Sequence, residues 1–92
     1  MWKVERLADG GVVLLSLSGR IEQEQLEDLQ RVFVSESRSR TIVLDLKDVK
    51  LVDRDAVIFL AYCEAAGTKL RNCPPYIREW IAGEKASINT DQ

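Results

Sequence analysis

The residues of this chain that could do chemistry are few and one-sided. Fifteen Asp or Glu and thirteen Lys or Arg are present, but there is no histidine. Without imidazole the chain lacks the commonest general base, the commonest zinc ligand and any Ser-His triad. Cys63 and Cys73 are not closely spaced, so they fit reduced thiols in a cytoplasm and read as small core residues rather than ligands. No phosphate loop of the GxxxxGK[ST] type occurs. What remains is a carboxylate pair in Val52-Asp53-Arg54-Asp55, and the hydroxyls of Ser35, Ser37 and Ser39 in a polar connector open to phosphorylation.

The elements around that pair follow from periodicity. Trp2 to Leu7 alternates apolar and charged residues, as a half-exposed strand does, and Asp9-Gly10-Gly11 is a hairpin turn. Val12 to Leu17 is then a second, antiparallel strand, and its apolar start predicts cover on both faces. From Glu22 the period changes. Leu26, Leu29, Val32 and Phe33 form one stripe of an amphipathic helix running to about Val34, followed by a polar connector over 35–40. Thr41 to Leu46 reads as a central parallel strand, and Lys47 to Val52 as a short connection.

Asp53 has the chemistry of a helix N-cap, and Gly67 that of a C′ glycine, so a second helix lies between them. Lys69 to Asn72 is a short strand candidate. Pro74 and Pro75 suit the first turn of a last helix, whose stripe of Tyr76, Ile77, Trp80 and Ile81 ends before Gly83. The segment 84–92 is polar and expected to fray. The order β-β-α-β-α-β-α demands a mixed four-stranded sheet, and right-handed crossovers place its helices mainly on one face.

Composition narrows the partners. Ninety-two residues fit one domain (1–92, core about 2–83), and 46% hydrophobic with 30% charged residues fits a folded chain. A net charge of −2 leaves no basic footprint for nucleic acid. No apolar run is long enough for a bilayer, and no signal-peptide pattern opens the chain, so no membrane insertion and a cytoplasmic location are expected.

The stretch Thr41-Ile-Val-Leu-Asp-Leu-Lys-Asp-Val-Lys-Leu-Val-Asp-Arg-Asp-Ala-Val resembles the signature segment of STAS (sulfate transporter and anti-sigma factor antagonist) domains. In that family an apolar strand ending in Leu-Asp-Leu leads to Asp-Ser-Ser/Ala-Gly, which opens a helix. Leu17-Ser18-Gly19-Arg20-Ile21 is similar to the family's turn before the first helix, and Gly67 to Pro75 to its Asn-x-Pro segment. The resemblance implies a STAS-like α/β fold, no cofactor, no metal and no catalysis. It also implies an anti-sigma factor antagonist-like role in a partner-switching pathway, with a serine-kinase-type anti-sigma factor as the protein partner. The alternative it offers is an accessory subunit of an ABC transporter, bound to the transporter ATPase.

The chain departs from the family at the regulatory position. Where antagonists of the family carry a phosphorylated serine, two residues after the signature aspartate, this sequence has Asp55; Arg54 and Ala56 replace the neighbouring Ser and Gly. A serine kinase cannot phosphorylate Asp55, yet an acid there leaves one negative charge at a helix N-terminus, where phosphoserine would carry about −1.5 to −2. Either Asp55 holds the phosphorylated, partner-released state, or the switch is gone and docking is constitutive. The plain competitor is that Asp53 and Asp55 are only a cap and a first-turn acid.

The run Val57 to Tyr62 is apolar all round its helix, so part of it must face a neighbouring helix or a partner. Asp53, Arg54, Asp55, Ile58 and Tyr62 are the candidate partner-binding residues. Val52-Asp53-Arg54-Asp55 also resembles the strand-end Asp-x-Asp of haloacid-dehalogenase-type phosphatases, but Ala56-Val57 stands where that family expects Gly-Thr.

Overall fold

The turn at Gly10-Gly11 starts the architecture. Gly10 sits at φ 62°, a conformation cheap only without a Cβ. It folds β1 (Trp2–Asp9) antiparallel onto β2 (Val12–Ile21), with Asp9 opposite Val12 and Trp2 opposite Gly19. A computed structural model describes residues 2–38 and 40–90, without the side chains of Ser37 and of 87–90. After β2 come α1 (Gln23–Ser37), β3 (Thr41–Val52), α2 (Arg54–Ala65), β4 (Lys69–Arg71) and α3 (Pro75–Thr90). The strands lie in the order β1-β2-β3-β4, and β3 runs parallel to both neighbours. Parallel neighbours need long crossovers, which α1 and α2 provide. The fold is therefore α/β with a mixed four-stranded sheet, in the expected element order, and it is compatible with the STAS-like fold.

One face of the sheet carries the core. Val13, Leu15 and Leu17 of β2 and Ile42, Leu44 and Leu46 of β3 are buried at period two. They meet Leu26 and Leu29 of α1, Val57 and Leu60 of α2, and Ile77 and Ile81 of α3. The expectation that β2 is covered on both faces is corrected: Val12 is 43% exposed and Leu14 only half-buried, because all three helices pack on the other side.

Three boundaries differ from the sequence reading, each for a physical reason. The strand expected to end at Leu46 continues to Val52. Its register against β2 shifts twice, between Ser16/Asp45 and Ser18/Asp48 and between Gly19/Val49 and Arg20/Leu51. Each bulge adds a residue to β3, so burial steps by three, from Leu46 to Val49 to Val52. That spacing hides the strand from a period-two reading. Helix α1 outruns Val34 to reach Ser37 because Arg6 of β1 grips Glu36 through both carboxylate oxygens, and Arg40 adds a second cation. Ser35 is exposed on this helix, and Ser39 lies outside the described residues.

Helix α3 passes straight through Gly83 to Thr90, where an end before Gly83 and a frayed tail were expected. Mid-helix glycine costs about 1 kcal/mol relative to alanine. Its neighbours offset this: Glu84 accepts from Trp80 Nε1 at 3.2 Å and Arg54 Nε at 3.3 Å, and Lys85 pairs with Glu64 of α2. Asp91 and Gln92 lie outside the described residues. The proline expectation for the start of α3 holds: Pro74 O accepts the N–H groups of Ile77 and Arg78, both at 3.0 Å, and Pro75 occupies the first helical position.

Candidate functional site

The site lies where the carboxyl ends of β2 and β3 hand over to helices, the edge at which open α/β sheets usually present their ligands. Both helix starts there must satisfy backbone N–H groups that have no partner within the helix. At α1, Glu22 N–H donates to Gln25 Oε1 at 3.0 Å. At α2, Asp53 is in extended conformation with φ −105°, and its Oδ1 accepts the Ala56 N–H at 2.9 Å. Its second oxygen, Oδ2, accepts the N–H of Gln23 in α1 at 2.8 Å. One carboxylate thus caps two helices and fixes the α1 start against the α2 start. The sequence showed the first bond as a cap signal; the second joins positions thirty residues apart and has no local signal.

Arg54 and Asp55 follow in the first turn of α2 and point away from the core. Arg54 is tied to α3 through Glu84, which also holds Trp80, so this arginine fastens the two helices. Glu84 is a site residue that the sequence reading missed. Asp55 is exposed, and among the described residues it makes no hydrogen bond or ion pair. The positive end of the α2 dipole is the natural place for such an acid.

The apolar run of α2 divides by direction. Ala56, Val57, Leu60 and Ala61 are buried in the core. Phe59 packs edge to face on Phe33 of α1, with ring centroids 5.9 Å apart. Ile58 is half-buried and Tyr62 is 58% exposed. Asp55, Ile58 and Tyr62 are spaced i, i+3, i+7, so they share the outward stripe of the helix. The structure therefore brings Asp55, Ile58 and Tyr62 together on one exposed face. Asp53 and Arg54 are engaged in holding that face in place. Two further large apolar side chains are exposed at the neighbouring ends, Leu51 of β3 and Tyr76 of α3, and the Tyr76 hydroxyl donates to Lys50 O at 3.4 Å.

The far end of α2 is clamped rather than open. Arg78 Nη1 donates to both oxygens of Glu64 at 2.8 Å, and Lys85 adds a second cation. Partial burial pushes the Glu64 carboxyl up, but the hydrogen bonds from Lys85 and Arg78 outweigh it and hold it below the usual range. Burial pushes the Cys63 thiol up to about 12 and the Cys73 thiol in the same direction, so neither is an activated nucleophile. Among the described residues no group of three or more His, Cys, Asp or Glu side chains converges as a metal site would require.

No family model and no curated protein matches the chain. Among solved structures, "Crystal Structure Analysis of Mglu" is similar, with a TM-score of 0.58 and 23% identity over 77% of this chain. The chain spans only 19% of that protein's length. The similarity supports the fold alone.

Proposed function

We propose that the chain is a non-catalytic regulator of the anti-sigma factor antagonist type, acting in the cytoplasm by docking a serine-kinase-type anti-sigma factor on the outward stripe of α2. The observation that carries this reading is the shared stripe itself: an unpartnered Asp55 beside a half-buried Ile58 and an exposed Tyr62. An exposed aromatic ring beside an aliphatic side chain is what partner surfaces use for affinity, and the fixed charge next to it tunes how tightly they dock. A reading without chemistry is supported by Asp53, whose two oxygens each accept a backbone N–H. Attack on phosphorus by Asp53 would sacrifice the caps of two helices.

In this reading Asp55 supplies, permanently, part of the charge that a phosphoserine supplies on demand. The test is binding to the kinase-type partner isolated with the chain. Asp55→Ser creates a phosphoacceptor and tightens binding of the unphosphorylated form, and phosphorylation of that variant reverses the gain. Equal binding by wild type, Asp55→Ser and Asp55→Ala reduces the acid to helix-start chemistry. Isolation with a transporter ATPase in place of a kinase-fold protein replaces the regulator reading with the accessory-subunit one.

A further inference from the structure

The second face of the sheet has no cover from the described residues, and its side chains are ordered in a way that α2 does not explain. Register places Leu7, Leu14, Val43 and Lys69 in one row across the four strands, and Glu5, Ser16, Asp45 and Arg71 in the next. All of these point away from the core, because their sequence neighbours Val13, Leu15, Ile42 and Leu44 point into it. Leu7 is 66% exposed at the β1 edge, while Leu14 and Val43 are half-buried in the middle.

Charge on this face is sorted by edge. Strand β1 carries Glu5 and Asp9 with Lys3 at its start, a net negative edge, and β4 carries only the cations Lys69 and Arg71. Asp45 already accepts from Asn72 Nδ2 at 3.2 Å and from Lys47 N–H at 3.0 Å. Among the described residues neither Lys69 nor Arg71 has an ion-pair partner, and Glu5 has only the exposed Lys3 at 3.7 Å.

We propose that this face is a homodimer interface, with two copies packed sheet to sheet about a two-fold axis that runs along the strands. That axis lays β1 of one copy over β4 of the other and β2 over β3. Glu5 then meets Arg71 of the second copy, Leu14 meets its Val43, and the aliphatic stem of its Lys69 lies over Leu7. Every contact occurs twice, as an isologous interface requires. The alternative in-plane axis, across the strands, lays β1 on a reversed β1, so that with Leu7 at the centre Glu5 meets Asp9 of the second copy, and it lays the cationic β4 on β4. Charge therefore selects one symmetry. Aligned sheets with a small crossing angle are an ordinary packing mode for twisted sheets.

The size of the face sets the strength. Three strands at about 4.8 Å spacing over about 20 Å, with the three-residue β4 adding about 10 Å of length, project roughly 340 Å². Two copies together would bury roughly 700–900 Å², below the usual size of specific interfaces, so the dimer is weak, transient and salt-sensitive.

Sedimentation equilibrium of the full chain tests this directly. Wild type shifts from monomer to dimer as concentration rises, and Glu5→Arg and Arg71→Glu each weaken the dimer by about tenfold or more. Mixing the two variants restores opposite charges at both symmetric contacts and gives a heterodimer at least as tight as wild type. Leu14→Lys abolishes association, with circular dichroism confirming that the chain remains folded. A wild type that stays monomeric at concentrations on the order of 100 µM overturns the proposal. So does a dimer indifferent to both charge reversals, or a mixture of the two that fails to associate.

Discussion

Helices α1 and α2 occupy equivalent places: each leaves the carboxyl end of a parallel strand, lies on the same face of the sheet, and buries an apolar stripe in the same core. Their outward faces differ. On α1, Arg31 reaches Glu27 at 3.2 Å and Asp28 at 3.3 Å, so the charges there satisfy one another in water. On α2, the outward stripe holds Asp55, Ile58 and Tyr62, with no ion pair among the described residues and an aromatic ring in solvent. The inward faces answer to the fold and are interchangeable in kind. The outward face of α2 departs from what solubility alone would select, and it begins where the family resemblance puts a regulatory residue.

The comparison can be broken first at the inward faces, where the helices should behave alike. Leu29→Ala in α1 and Leu60→Ala in α2 each remove a buried side chain and should cost about 2–5 kcal/mol in urea unfolding. A much smaller loss for Leu60 would mean that α2 is not a core helix. The helix starts come next. Asp53→Ala deletes two bonds, one to each helix, and should cost about 2 kcal/mol, while Glu22→Ala should cost clearly less. Equal losses would contradict the two-helix role of Asp53.

Acid should then separate the clamped end of α2 from its open start. A carboxyl held low in the folded state adds stability that is fully present above its ordinary range and drains away as pH falls through its folded value. Glu64, held low by Lys85 and Arg78, and Glu36, held low by its hydrogen bond with Arg6, both act in this direction. The melting temperature should therefore fall from about pH 5 downward. Glu64→Gln should lower it at pH 7 and flatten the decline. The smallest effect belongs to Arg54→Ala. Its guanidinium is largely in solvent, although Glu84 is not, and Glu84 keeps its bond from Trp80. The loss should therefore be less than about 0.5 kcal/mol in the same unfolding assay.

How much of this was legible in the sequence depended on whether the signal was local. The alternation of Trp2 to Leu7, the Gly10-Gly11 turn and the cap at Asp53 are local, and they gave the element order and the sheet type. Three features are long-range, and the reading missed them. Residues 47–52 of β3 were hidden because two bulges changed the burial step from two to three. The extension of α1 rests on Arg6 of a distant strand, and that of α3 through Gly83 rests on Glu64 and Trp80. In the site, Asp55, Ile58 and Tyr62 were readable because helical spacing is a local rule. The Gln23 bond to Asp53 and the Glu84 clasp on Arg54 were not, since thirty residues separate each pair.

The central claim is that the outward stripe of α2 recognises a protein while that of α1 does not, and calorimetric titration of the isolated partner against two variants tests it. Tyr62→Ala, which removes an exposed ring without disturbing the core, should weaken binding about thirtyfold or more, and Arg31→Ala on α1 should leave it within about twofold. Undiminished binding by Tyr62→Ala, or an equal loss in both variants, would contradict the account.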